Sequence, residues 1–284
     1  MSHACPSGVA KLPSAAGKSY DIRINWYCRL GNNILQVLHA YCWAKATHSR
    51  LSIEGHSLMR PTVWDFSNGR DELTKLNAMF FYPKFEGFAG TLPTLTEIRR
   101  IGVQHILPIL RLPPITAINE TVLVAHVRSG DIFGTENGIA NVHSGYVPPP
   151  VSFYAKAMQD SGCSKLLIVT EPDMRNPVLA ILRARFRADV QSQTMAEDLA
   201  TLVSARKLCI GNSTFSWAAF LISPFADEVF MPAATIFSQP PPDPPVRIRK
   251  YMFRRYSRPF EWTSSPGQLR SMVTHPIRYV VETR

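Results

Sequence analysis

Residues 196–223, AEDLATLVSARKLCIGNSTFSWAAFLIS, decide the fold. They read as a helix over 196–205, a short strand over 207–211 carrying Leu208, Cys209 and Ile210, a polar hinge, and a helix over 214–222. Gly211, Asn212, Ser213 and Thr214 stand where the strand ends and the second helix begins. Small residues, an N-cap hydroxyl and backbone N–H groups without intrahelical partners make such a corner an anion site. An ordinary capped helix of an α/β domain fits the same residues.

Upstream, TVLVAHVRSGDIFG (121–134) opens with an apolar, β-branched strand that ends in His126-Val127-Arg128-Ser129-Gly130-Asp131. In doubly wound α/β folds ligands gather beyond the carboxyl ends of the strands, so Arg128 points to the crevice that receives the 212–216 corner. A guanidinium there grips phosphate through two parallel N–H donors and keeps its charge at any working pH. The competing reading of Arg128 is a surface ion pair with Asp131. His126 reads equally as a hydrogen-bonded core imidazole and as a substrate ligand.

A chain of 284 residues, 45% hydrophobic and 18% charged, is long enough for two α/β lobes, each with its own core. No apolar run reaches the length that spans a bilayer, and residues 1–20 lack the apolar stretch of a signal peptide and read as a flexible tail. The expectation is a soluble, cytoplasmic protein. Cys5, Cys28, Cys42, Cys163 and Cys209 are scattered without a Cys-x-x-Cys pair, which argues against a disulfide framework and a zinc site; Cys42 and Cys209 read as buried thiols. There is no Asp-x-Asp pair to hold a divalent cation on a diphosphate, so no metal and no cofactor is expected. Arginine and helix N-termini must then neutralise the anion. The net charge of +10 fits an anionic ligand, and also nucleic acid or a membrane surface. Much of it falls on Arg247, Arg249, Lys250, Arg254, Arg255 and Arg258, a run that reads as a solvated face beside the Pro-rich stretch 239–247 before it reads as basic residues near a donor pocket or a nucleic-acid contact.

Strand–helix alternation divides the rest. A first lobe over 21–115 opens with a strand at 21–27, a helix to Lys45 burying one face (Ile34, Leu35, Leu38, Cys42, Ala46), and a strand at 50–55. Residues 56–95 are aromatic-rich, with Phe80, Phe81, Tyr82, Phe85 and Phe88 as a core patch or an acceptor wall, and a helix follows at 96–111. A second lobe over 116–238 runs through the 121–128 strand, a helix at 151–161, a strand at 166–170, and a helix from Pro177 with Leu179, Leu182, Phe186 and Val190 on one side. A weak strand at 189–193, the 196–222 elements and a strand at 228–231 complete it, which implies a mostly parallel sheet covered on both faces. Residues 239–284 are a Pro-rich connector and a segment packing back on the lobes.

The chain resembles the GDP-fucose-dependent α1,2/α1,6-fucosyltransferase superfamily, the α1,2 branch most. Cys28-Arg29-Leu30-Gly31-Asn32-Asn33 matches that family's Gly-Arg-Leu-Gly-Asn-Gln, His126 to Asp131 its His-x-Arg-Arg-Gly-Asp, and Asp198-Leu199 through Asn212-Ser213-Thr214-Phe215-Ser216-Trp217 its third block. The resemblance implies a GT-B fold, two Rossmann-like lobes with mostly parallel sheets facing a central cleft. It also implies metal-independent, inverting transfer of fucose from GDP-fucose to a glycan hydroxyl. By the same resemblance Arg128 binds the β-phosphate, Asp198 the base or ribose, and Asn212, Ser213, Thr214, Phe215 and Ser216 the diphosphate and sugar. His126 and Asp131 would shape the loop beneath the donor, with Asp131 the second catalytic candidate, and Arg29, Gly31 and Asn32 would close the crevice from the other lobe. The partners implied are a nucleotide-sugar donor and a glycan acceptor, not nucleic acid. The chain departs from the pattern at Ser129, at Glu171-Pro172-Asp173, at Ala218 and at Pro149-Pro150 with Tyr154. A same-fold transferase using another donor, such as UDP-xylose, and a non-catalytic binder of RNA or acidic glycans stay open. Asp131, Glu136 and His143 are all in range as general base, and nothing singles one out.

Overall fold

The computed structural model describes residues 18–26, 28–70, 72–78, 93–133, 145–233, 246–258 and 261–283. They form two compact units, one up to Leu112 and one from Pro113 onward. The aromatic patch at 80–88, Glu136, His143 and most of the Pro-rich stretch lie outside the described residues.

The first unit contains β1 (Tyr20–Ile24), α1 (Leu30–Ala46), β2 (Arg50–Ile53), β3 (Thr62–Asp65), β4 (Thr74–Ala78) and α2 (Leu95–Ile101). Its sheet runs β3-β2-β1-β4, with β1 parallel to β2 and β4 and β3 antiparallel on β2. The expected tail ends sooner than residue 20: Ser19 is buried, and the Tyr20 N–H donates to Ser49 Oγ at 2.9 Å. The helix expected to bury one face is buried all round from Leu30 to Ala44, the sheet lying on one side. Elsewhere on it Tyr41 stacks on His105 at 5.0 Å and meets Trp64 and Phe66 edge-on. It also starts earlier than read, so Gly31, Asn32 and Asn33 sit inside its first turn and Arg29 is the N-cap. The helix expected over 96–111 keeps α geometry only to Ile101, widens to a π turn at Gly102–Ile106 and tightens to a 3-10 turn at Leu107–Ile109. Pro108, which lacks the N–H that an α-helix requires, prevents its continuation.

The second unit contains β5 (Val122–His126), α3 (Val151–Ser161), β6 (Lys165–Val169), α4 (Pro177–Phe186), β7 (Asp189–Gln191), α5 (Met195–Val203), β8 (Lys207–Cys209), α6 (Thr214–Ile222), β9 (Glu228–Pro232), β10 (Arg247–Phe253), α7 (Pro266–Thr274) and β11 (Val280–Thr283). Its sheet runs β11-β10-β9-β8-β5-β6-β7 and is parallel except for β11. From β5 the chain winds outward through β6 and β7, returns to β8 on the other side of β5, and winds outward again through β9 and β10. That is the doubly wound order, and its switch point lies between β5 and β8. Val190 belongs to β7 rather than to the face of α4. The core gathers Leu123, Ala125, Phe153, Ile168, Leu182 and Phe230. Cys42 and Cys209 are buried as expected, and burial pushes the Cys42 thiol up to about 12. Among the described residues no helix is long and apolar enough to cross a membrane.

The basic run near the C-terminus is not simply a solvated face. Arg249, 11% exposed, sits in β10 facing α3; its Nη1 donates to the Asp160 carbonyl at 3.0 Å and its fork grips Glu282 of β11 at 2.8 and 2.5 Å. Tyr251 Oη donates to Asp160 Oδ2 at 2.7 Å and Lys156 Nζ to Oδ1 at 2.6 Å. Asp160 stands in the last turn of α3, where the helix dipole disfavours a negative charge, and the two cations, Arg249 and Lys156, with the Tyr251 hydroxyl offset it.

Candidate active site

β5 ends at His126, and Arg128 follows at the switch point. Its Nη2 donates to Asp131 Oδ1 at 3.0 Å, and the guanidinium lies 4.2 Å over the Tyr146 ring. The ion pair foreseen as the competing reading of Arg128 therefore exists, but it engages one of five N–H donors. None of the other four has a hydrogen-bond partner among the described residues. Gly130 (φ +70°) takes the left-handed conformation that turns the chain into the 3-10 turn Gly130–Phe133.

At the neighbouring exit Ser213 is the N-cap of α6: its Oγ accepts from Phe215 N at 3.3 Å and its carbonyl accepts from Trp217 N at 3.1 Å. Ser216 is fully buried and its Oγ donates back to the Ser213 carbonyl at 3.3 Å, so that hydroxyl serves the helix start. Thr214 and Phe215 remain partly exposed. Asn212 Nδ2 donates to the Gly145 carbonyl at 3.1 Å. A Cβ on Gly211 would stand 3.5 Å from the His126 carbonyl oxygen, so the two strand exits touch. Arg128, Tyr146, Asn176, Gly211 and Asn212 line one cleft with Pro148, Pro149 and Tyr154. Its enclosed space, about 10 Å³, admits about one water molecule.

His126 is 3% exposed, packs against Phe215 at 5.6 Å between centroids, and has no hydrogen-bond partner for Nδ1 among the described residues. Burial first and the nearby Arg128 second push its pKa from 6.5 down to about 3, with Asp198 opposing. The imidazole is neutral at working pH. The unfolded chain takes up the proton first, so the stability held above pH 6.5 is lost as pH falls from 6.5 toward 3. We expect His126→Leu to remove about 2 kcal/mol of the acid-dependent loss at pH 5, read from urea unfolding at pH 7.5 and pH 5. An identical pH dependence in the variant contradicts this.

Asp198, 7% exposed, accepts from Gln191 Nε2 at 2.9 Å and from Gln193 N at 3.2 Å. As folded, its carboxylate fastens the turn between β7 and α5. In the first unit, Arg29 is exposed and gives α1 no side-chain cap, and α1 has no acidic residue in its first turn. Gly31 and Asn32 are buried there, and Asn32 Oδ1 has no hydrogen-bond partner among the described residues. The second unit thus brings His126, Arg128, Asp131, Asn212 and the 213–216 helix start together, while Arg29, Gly31 and Asn32 belong to the other unit.

No protein-family model and no curated protein matches the sequence. Among the solved structures similar to it are two of one protein. One is POFUT1 in complex with GDP, at 10% identity and a TM-score of 0.39, covering 78% of this chain and 99% of that one. The other is POFUT1 in complex with GDP-fucose, at 9% identity and a TM-score of 0.32, covering 56% and 54%. Similarity at that level assigns no activity; the residues must do so.

Three residues of the site escaped sequence reasoning as site residues. Glu171 leaves β6, the neighbour of β5, and its Oε2 accepts from Ser129 N at 2.7 Å; burial raises its carboxyl above the ordinary range. Asn176 caps α4 and lines the cleft. Its place before Pro177 is an N-cap signal, whereas Tyr146 carried no signal. Ser129, where the resembling family has a second arginine, is fully buried, with its Oγ accepting from Asn176 N at 3.0 Å.

Proposed function

We propose that the chain is a glycosyltransferase that moves a sugar, fucose from GDP-fucose first among the candidates, to a hydroxyl of a glycan acceptor, with inversion and without a metal. One observation carries the reading: Arg128 and the Gly211-Asn212 corner line the same cleft where the strand order reverses. The three motif segments of the resemblance supply the chemistry. The acceptor oxygen attacks the anomeric carbon as the bond to the β-phosphate breaks, and negative charge grows on the departing diphosphate. The Arg128 donors left open beside Asp131, together with the first N–H groups of α6, stabilise that charge. Since the cleft holds about one water, the phosphate sits at its mouth. The absence of Asp-x-Asp from the sequence supports a metal-free reading. The base that takes the acceptor proton is unassigned.

Titration calorimetry with GDP and with UDP, both in EDTA, tests this. We expect GDP to bind at least tenfold more tightly than UDP and GDP-fucose to be hydrolysed slowly without acceptor. A preference for UDP moves the donor to another nucleotide sugar such as UDP-xylose, and binding of neither contradicts the proposal.

A further inference from the structure

The backbone around Arg128 is held almost entirely by the stretch from the end of β6 to the start of α4. Val127 N donates to the Val169 carbonyl at 3.0 Å and the Val127 carbonyl accepts from Thr170 Oγ1 at 2.7 Å. The Arg128 carbonyl accepts from Asn176 Nδ2 at 2.8 Å, and Ser129 N donates to Glu171 Oε2 at 2.7 Å. Asn176 N in turn donates to Ser129 Oγ. The Asn176 carboxamide is used at both ends, because its Oδ1 accepts from Val178 N at 2.9 Å and caps α4. Its Nδ2–H is therefore aimed by a rigid helix at the carbonyl of Arg128, which lines the cleft. Capping α4 requires only Oδ1; the bond to Arg128 is additional.

We propose that Glu171 and Asn176 are positioning residues that fix the Arg128 guanidinium for its work on the donor phosphate. The proposal rests on the glycosyltransferase reading above. Glu171 acts through the Ser129 N–H and Asn176 through the Arg128 carbonyl, on either side of the same peptide bond. A displacement of that peptide by about 1 Å misplaces the guanidinium where charge develops, which lowers kcat rather than donor affinity.

Three substitutions separate this role from plain stability. Asn176→Asp keeps the oxygen that caps α4 and replaces the donor to Arg128 with a carboxylate oxygen that cannot make that bond. Glu171→Leu removes the acceptor for Ser129 N, whereas Glu171→Gln keeps it. With GDP-fucose as donor, we expect Asn176→Asp and Glu171→Leu to lower kcat roughly 10- to 100-fold while donor KM stays within about threefold. Glu171→Gln should keep about a third of kcat or more. In an Arg128→Ala background Asn176→Asp should cost less than about threefold, since its effect passes through the missing side chain. Wild-type kcat in Asn176→Asp, or an undiminished loss in the Arg128→Ala background, overturns the proposal. Amide hydrogen exchange over 127–130 gives a readout independent of turnover. Faster exchange in Asn176→Asp and Glu171→Leu supports the brace, and unchanged protection in both overturns it. A wild-type protein that turns over no nucleotide sugar defeats the glycosyltransferase reading instead.

Discussion

On the proposed glycosyltransferase reading, we expect Arg128→Ala to lower turnover of the nucleotide sugar by about 100-fold or more, the scale on which one well-placed electrostatic donor acts in a transition state. The side chain is 16% exposed, is bonded to Asp131, and lines one cleft with Gly211 and Asn212, the two residues before the α6 cap. In the proposed mechanism, removing it would leave the departing phosphate with the helix N-terminus alone. Arg128→Lys keeps a charge without the planar fork and falls between the two. Steady-state kinetics on purified protein check this, and activity of Arg128→Ala within threefold of wild type refutes the role.

Arg249→Ala costs stability instead, roughly 3 kcal/mol, because it strands carboxylates that are themselves mostly covered. Asp160 is 10% and Glu228 13% exposed beside it, and Arg249 also joins β10 to β11 through Glu282. The expected fall in Tm is about 6–12 °C, while GDP affinity measured well below Tm stays within about twofold. A fall of less than about 2 °C by calorimetry contradicts the account of this network.

The same residue explains where sequence reasoning failed. In β10 the position that faces α3 two residues before Tyr251 holds an arginine rather than an apolar side chain, so the strand read as a charge run. The short β3 and β4 went unread for a related reason: β3 has no buried residue and Val63 is 59% exposed, so neither alternation nor length marked it. Elements with punctuation were legible. α3 follows Pro150, α4 opens at Pro177 behind its Asn176 cap, and α6 opens behind Ser213, each at the expected residue.

The site divides along the same line. That Arg128 and the Gly211-Asn212 corner meet in one cleft was legible because strand ends in a doubly wound sheet project to one edge. Glu171 and Asn176 were not legible as their partners, since β6 becomes the neighbour of β5 only when the sheet forms, and the two bonds span 42 and 48 residues. Ser216, which the resemblance places on the diphosphate and sugar, is fully buried and bonded within its own helix turn, a burial that its residue type does not signal.

A crystal structure of the protein grown with GDP in the presence of manganese tests the central claim most directly. The account predicts β-phosphate oxygens within hydrogen-bond distance of the Arg128 guanidinium and the first amides of α6, with no cation on the diphosphate. A manganese ion bridging the phosphates, or GDP lodged away from the exits of β5 and β8, would contradict it.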